Sequence, residues 1–147
     1  MTFNKMIPEL LVSNITESLH FYIDILNFKI EYSREKNNFY FLSKGKCQIM
    51  ICLDPIIGIK ENKEEWITGQ LDYPRGRGIN FQIEIKNIKK LIKNINDNNI
   101  NLYSELSEKW RKVNKKEYGE IEFLIQDPDG YLLRFSETIG VRKCKIH

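Results

Sequence analysis

The chain has 147 residues, of which 41% are hydrophobic and 29% are charged, a size and balance typical of one globular domain. The net charge of +3 is weak and no recognition motif accompanies it, so we expect no nucleic-acid partner. No apolar run approaches the roughly 20 residues of a membrane span. The three cysteines fit neither a disulfide framework nor a zinc site. With no signal pattern at the N-terminus, these features predict a cytoplasmic protein without a membrane partner.

The first half predicts a strand, a helix and three more strands. A strand ends near Val12, and Asn14 suits a helix N-cap, with Glu17 at the capping-box spacing. The apolar helical face that follows is formed by Ile15, Leu19, Tyr22 and Leu26. His20 lies off this face and is predicted to be at the surface. Strand-like runs at 28–34, 39–43 and 48–53 are separated by turn-prone residues.

The second half repeats this pattern. The segment 10–15 is echoed by 83–88, so that Asn87 follows Asn14 by 73 positions and becomes the second predicted N-cap. The second helical face consists of Ile88, Leu91, Ile92 and Ile95. A weak strand near 102–103 and strands at 120–126 and 131–137 complete the half. The sequence therefore predicts an α+β fold in one domain, 1–147, with βαβββ modules at 1–60 and 75–140.

The last two strands permit a prediction of register. Apolar residues pair with apolar residues if Pro128-Asp129-Gly130 forms a three-residue loop, with Gly130 as its left-handed residue. Ile125 then faces Leu133, and Phe123 faces Phe135. The opposite face carries Glu122, Leu124, Arg134 and Ser136. A sheet with one face under a helix and one mixed polar face is a natural surface for a ligand.

Paired βαβββ halves, together with the motifs at 11–14, 18–22, 77–83 and 123–135, resemble the vicinal oxygen chelate superfamily. This superfamily includes glyoxalase I, extradiol dioxygenases and the fosfomycin and bleomycin resistance proteins. The resemblance covers about 7–140, and the stretch 109–140 is most similar to bleomycin resistance proteins. It implies curved mixed sheets with helices on the outer face, and a homodimer.

Metal-using members of this superfamily place two histidines and a glutamate at the positions of Ile7, Asn80 and Arg134. Ile7 cannot bind a metal, Asn80 is a poor ligand for a transition metal, and Arg134 is a permanent cation. Only His20 and the terminal His147 remain as histidines. We therefore expect no metal and no cofactor.

Two long connections, 54–77 and 104–119, carry Trp66 and Trp110, and long connections in compact domains are often functional. The two Trp side chains either anchor these segments on the sheets or form stacking walls for a ligand. The resemblance implies a cleft in which aromatic walls accompany a polar lining. The predicted ligand-binding residues are Trp66, Tyr73, Asn80, Gln82, Tyr103, Trp110, Glu122 and Arg134. Arg134 could instead simply pair with Glu122, Glu9 or Glu84.

The resemblance implies metal-free binding and sequestration of a planar or glycopeptide antibiotic, with bleomycin as the leading candidate, in a cleft at the dimer interface. The slight positive charge of the chain does not favour a cationic ligand. One alternative is an enzyme of the same superfamily that acts without the metal triad, with Glu122 or Glu84 as base. A second alternative is a structural or regulatory dimer without a ligand. Carboxylates at Glu61, Glu64 and Glu65 are predicted to be solvated.

Overall fold

Each half of the chain forms one four-stranded sheet with a helical segment between its first two strands. The structure, a computed structural model, describes residues 1–55 and 66–145. The carboxylates predicted to be solvated, at 61, 64 and 65, and His147 lie outside these residues. The chain divides into two compact units. The first unit consists of the residues up to Arg75 together with the loop Pro128–Gly130. The second unit consists of Gly76–Asp127 together with the chain from Tyr131 onward.

In the first unit, strand β1 is parallel to β4, and the remaining pairs are antiparallel in the order β1-β4-β3-β2. The elements are β1 (Glu9–Val12), α1 (Ile15–Leu19) continuing as a π-helical turn (His20–Ile25), β2 (Lys29–Arg34), a 3₁₀ turn (Glu35–Asn37), β3 (Phe39–Lys44) and β4 (Cys47–Leu53). The amide of Asn14 accepts from the Glu17 N–H at 3.1 Å, as predicted for the N-cap.

The second unit repeats this order with longer strands. Its elements are β5 (Asn80–Glu84), α2 (Ile88–Asp97), β6 (Ser104–Val113), β7 (Lys116–Gln126) and β8 (Leu132–Lys143). The sheet order is β5-β8-β7-β6, with β5 parallel to β8. The helices begin at Ile15 and Ile88, which keeps the spacing of 73 seen in the sequence. The predicted α+β fold with two βαβββ modules is confirmed, and both sheets are open.

The predicted register of the last hairpin is also confirmed. Phe123 pairs with Phe135 and Ile125 with Leu133, and all four side chains are buried on the helix side of the sheet. Gly130 has a φ of 93°, a left-handed conformation that favours glycine.

Three predictions about local structure were wrong. The stretch 104–119 is not a connection: it forms β6 and the start of β7, joined by a tight turn at Asn114 and Lys115. Asn87 precedes α2 but makes no side-chain capping bond, and the Glu137 carboxylate accepts from the N–H groups of Asn87 and Ile88 instead. The buried face of the first helix also differs from the prediction, because the π-helical turn rotates it. Ile15 and Leu19, which were predicted to be on this face, are only half-buried. The residues that are buried are Ser18, Phe21, Tyr22, Ile25 and Leu26.

The first unit also contains a buried ionic cluster centred on Arg75. Its guanidinium donates to the Leu11 carbonyl and to Asp54, both at 3.0 Å, and lies 3.8 Å from Asp129. The Asp129 carboxylate accepts in turn from the Ser13 N–H at 3.1 Å. Buried charges persist only when they are paired and hydrogen-bonded, so this cluster fastens the ends of β1 and β4 to the Pro128–Gly130 loop.

Among residues 1–55 and 66–145, the helices are too short and too polar to cross a membrane.

Candidate functional site

The second sheet has two chemically different faces. Alternation along β7 and β8 places Phe123, Ile125, Leu133 and Phe135 under α2, where they are buried. The opposite face, here called the polar face, carries the side chains between them. It is formed by Gln82 and Glu84 of β5, Lys109 and Arg111 of β6, Tyr118, Glu120 and Glu122 of β7, and Arg134 and Ser136 of β8.

An ion-pair network crosses the polar face from β6 to β7. Arg111 donates to both oxygens of Glu122, at 2.9 and 3.2 Å, and to Glu120 at 3.2 Å. Only 8% of Glu122 is exposed, so its charge requires this partner. The hydrogen bonds with Glu122 raise the pKa of Arg111 above its ordinary value. Arg111 is therefore a fixed cation that neutralises a nearly buried carboxylate.

Gln82 connects the outer strand to the same network. Its Nε2 donates to Glu120 at 3.2 Å and to the buried Ser136 hydroxyl at 3.2 Å, and its Oε1 accepts from Arg134 at 3.3 Å. These contacts fix the orientation of the side-chain amide. Gln82 thereby links β5 to β7 and β8 across the polar face.

A recess of about 440 Å³ opens on this face. The lining side chains combine cations, one carboxylate, an amide, an aromatic ring and one aliphatic group: Gln82, Arg111, Val113, Tyr118, Glu120 and Arg134. Its volume falls in the range of small-molecule sites, and the mixture of apolar and oriented polar groups is typical of them.

Trp110 lies on the other face of the sheet. It pairs with Gly119, whereas its neighbour Arg111 pairs with Tyr118 on the polar face. The half-buried indole covers Gly119: a Cβ at that glycine would meet the ring at 2.6 Å. The Arg142 guanidinium stacks on the ring at 3.9 Å, and the indole N–H donates to Glu108 at 2.6 Å. Of the two interpretations given above, this geometry matches the anchoring one.

The remaining predicted site residues are scattered. Trp66 and Tyr73 belong to the first unit, with 54% and 64% of their surfaces exposed. Tyr103 is exposed just before β6, and Asn80 is exposed at the start of β5. Within the second unit the structure brings together Gln82, Glu122 and Arg134 of the predicted set. Arg111 and Glu120 also belong to this group but were not predicted from the sequence, because Arg111 lies in the stretch predicted to be a connection and Glu120 at the predicted start of a strand.

The positions that hold metal in the superfamily do not fit a metal here. Arg134 presents a permanent cation, Asn80 offers a neutral amide, and Ile7 packs against the apolar cluster of the first unit. Residues 1–55 and 66–145 contain no group of three or more His, Cys, Asp or Glu side chains arranged to bind a metal ion.

The two carboxylates considered as catalytic bases are both engaged. Both oxygens of Glu122 accept from Arg111, so proton abstraction would require breaking a nearly buried ion pair. Glu84 is exposed and accepts from the Thr138 hydroxyl at 2.7 Å. Neither carboxylate has the unengaged geometry of a general base aimed at a substrate.

The corresponding face of the first sheet is apolar. Tyr32 and Phe41, paired across β2 and β3, stack at 5.1 Å, and Phe3 lies edge-on to Phe41 at 5.4 Å. The Arg34 guanidinium lies 4.1 Å from the centre of the Phe39 ring. The cluster also includes Leu11 and Cys52, with Ile7, Met50, Ile67 and Leu71 packed against it. This face is covered by segments of its own unit.

Comparison with known proteins identifies the family. A model of the Glyoxalase/Bleomycin resistance protein/Dioxygenase superfamily matches residues 6–135, so the chain belongs to this superfamily. No curated protein matches it.

Solved structures share the fold at low sequence identity. TioX from Micromonospora sp. ML1 has a TM-score of 0.69 at 11% identity, over 93% of this chain and 100% of that one. A protein of unknown function from Agrobacterium tumefaciens has 0.64 at 24% identity, over 95% of each chain. A virulence protein from Salmonella typhimurium has 0.63 at 20% identity, over 95% of this chain and 100% of that one. At these identities the likeness concerns the fold alone.

Proposed function

We propose that this chain is a metal-free member of its superfamily that binds and sequesters a small organic molecule on the polar face of the second sheet. One observation carries the proposal. The position of the metal-binding glutamate is occupied by Arg134, whose side chain lines a recess of about 440 Å³ together with Gln82, Tyr118 and Glu120. A guanidinium at that position replaces metal coordination with hydrogen bonding and charge.

A planar or glycopeptide antibiotic is the proposed type of ligand, and bleomycin is the first compound to test. Tyr118, with 41% of its surface exposed, offers a ring on which a planar group can stack. Glu120 offers a partly exposed carboxylate to a hydrogen-bond donor or cation. The net charge of +3 gives a cationic compound no long-range attraction, so its binding would depend on these local contacts.

We also propose that a second copy of the chain completes the cleft. Val113 and Val141 lie beside Tyr118, on the same side of the sheet as the polar face, and all three residues are exposed. Exposed apolar side chains grouped beside a recess are typical of protein interfaces. A symmetric dimer would cover them and supply a second wall for the ligand. Equilibrium sedimentation at micromolar concentration should give a dimer, and a monomer would contradict the shared cleft.

The binding proposal is tested by titrating bleomycin into the purified protein in the presence of a chelator, followed by calorimetry. We expect binding without added metal, and weaker binding for Tyr118→Ala and Glu120→Gln. Arg142→Gln, on the opposite face of the same sheet, is the matched control and should bind like wild type.

Two results would contradict the proposal. One is binding that appears only after a divalent metal is restored, with one tightly held metal per chain in elemental analysis. The other is binding of small molecules that none of the variants on the polar face affects.

A further inference from the structure

The two arginines that line the recess differ in how their N–H donors are used. Arg111 makes three hydrogen bonds to carboxylates, at 2.9 to 3.2 Å. Within the described part of the chain Arg134 makes one hydrogen bond, a long one of 3.3 Å to the neutral amide of Gln82. A guanidinium has five N–H donors, so most of the donors of Arg134 have no hydrogen-bond partner among residues 1–55 and 66–145.

Arg134 forms only a long ion pair with the nearest carboxylate. The Nη1 atom of Arg134 is 4.0 Å from Glu122, whose two oxygens already accept from Arg111. The Nε atom of Arg134 is buried without a hydrogen-bond partner in the described part of the chain. Arg134 lines the recess, and 27% of its side chain is exposed.

The preference for an anion rests on Arg134 itself, because the charges of the polar face as a whole are balanced. The face carries three cations and three carboxylates: Lys109, Arg111 and Arg134 against Glu84, Glu120 and Glu122. The carboxylates of Glu120 and Glu122 lie on the same face as Arg134, however, and would repel a dianionic phosphate more strongly than a singly charged group. A carboxylate matches the planar fork of a guanidinium and carries a single charge.

We infer that the ligand is an organic acid whose carboxylate is held by Arg134. This inference rests on the proposed function and narrows it, because it names the chemical class that the recess selects. The carboxylate would accept from the terminal Nη groups, and the planar remainder of the molecule would extend along the recess toward Tyr118. Arg111 would remain on Glu122 and serve as a positioning residue for the network.

The test uses two matched planar probes, quinoline-2-carboxylate and quinoline-2-carboxamide, which differ in charge. Each is titrated into ¹⁵N-labelled full-length protein, and the shifts of the Gln82 side-chain amide and of the Tyr118 backbone amide are recorded. We expect the carboxylate to bind more tightly than the amide. Arg134→Gln should weaken carboxylate binding about tenfold to a hundredfold, the range for losing a charged hydrogen-bond pair, and leave amide binding unchanged.

Two further variants make the test specific. Arg142→Gln removes the same charge from the opposite face and should leave both affinities unchanged. Arg134→Lys keeps the charge but lacks the planar fork, so its carboxylate affinity should fall between those of wild type and Arg134→Gln. The backbone amide spectrum of each variant establishes that it is folded.

The inference is overturned if the carboxylate fails to bind at millimolar concentration, if it binds no better than the amide, or if Arg142→Gln weakens it as much as Arg134→Gln. If the amide or bleomycin binds at the recess independently of Arg134, the proposed function stands and the acid preference is rejected. If the carboxylate, the amide and bleomycin all leave the Gln82 and Tyr118 resonances unchanged, the proposed function fails as well.

Discussion

The two sheets have the same strand order but opposite surfaces on the side away from their helices. In the first sheet this surface is an aromatic cluster around Tyr32 and Phe41, covered by Phe3, Ile7 and the residues near Leu71. In the second sheet it carries Arg111, Glu122 and their neighbours around a recess. The two halves therefore share an apolar surface on the helix side of each sheet, because that side must pack against a helix. On the other side of the sheet their side chains differ in polarity.

Because of this difference, we expect the first surface to contribute mainly to stability and the second mainly to ligand binding. Burial of large aromatic side chains on the first surface contributes directly to the free energy of folding. On the second surface, partly exposed charges that are not tied to a buried partner contribute little, because solvent screens them. Substitutions on the two surfaces should therefore differ strongly in their effects.

The largest effect is expected for Phe41→Ala. Only 1% of Phe41 is exposed, and its ring stacks on Tyr32, so truncation should lower the free energy of unfolding by about 3–5 kcal/mol. Chemical denaturation measures this loss. Tyr118→Ala on the second sheet, where 41% of the residue is exposed, is the matched change and should cost less than about 1 kcal/mol. Equal losses would show that the two surfaces do not differ in this way.

Trp110→Ala should destabilise the protein by about 1–3 kcal/mol, because the half-buried indole packs on Gly119 and under Arg142. Gly119→Ala tests the same contact from the other side, since the added methyl group would collide with the ring. Both changes should shift the melting temperature while the folded variants keep their ligand affinity. A stable Trp110→Ala protein with weakened binding would instead identify Trp110 as a ligand-stacking residue.

Arg111→Gln should cost about 1–3 kcal/mol, because it leaves the nearly buried Glu122 carboxylate without its main partner. The double change of Arg111→Gln with Glu122→Gln should recover part of this loss, since no buried charge then remains unpaired. Denaturant titrations of the single and double variants give the coupling between the two side chains. A double variant that is less stable than the sum of the single changes would contradict the assigned ion pair.

The smallest effect on stability is expected for Arg134→Gln. Its one long hydrogen bond and its 4.0 Å separation from Glu122 predict a change within about 0.5 kcal/mol. A melting curve close to that of wild type would agree with a side chain reserved for binding. A large loss would assign Arg134 a structural role.

Much of the fold could be predicted because the buried positions repeat. The apolar alternation on each side of Gly130 fixed the register of β7 and β8, and the Asn–Ile spacing located both helix starts. Capping by Glu137 could not be predicted, since it depends on a residue brought to α2 by the fold and not by local spacing.

The polar face was only partly predictable for a related reason. The residues of β6 carry charges on both faces, so the alternation that reveals a half-buried strand is absent there. Without that strand, Trp110 and Arg111 could not be assigned to opposite faces. Glu122 and Arg134 were found because their strands have one clearly apolar side.

The Pro128–Gly130 loop has a consequence for the order in which the protein is made. This loop belongs to the first unit, where Asp129 holds the Ser13 N–H and lies beside Arg75, yet it is encoded near the end of the chain. As the chain leaves the ribosome, the first unit therefore lacks part of its buried ionic cluster until most of the second unit has been synthesised. A fragment cut after Arg75 would keep Asp54 as a partner for that guanidinium but would lose Asp129. Gene truncations that aim to isolate the first sheet should carry the loop with it.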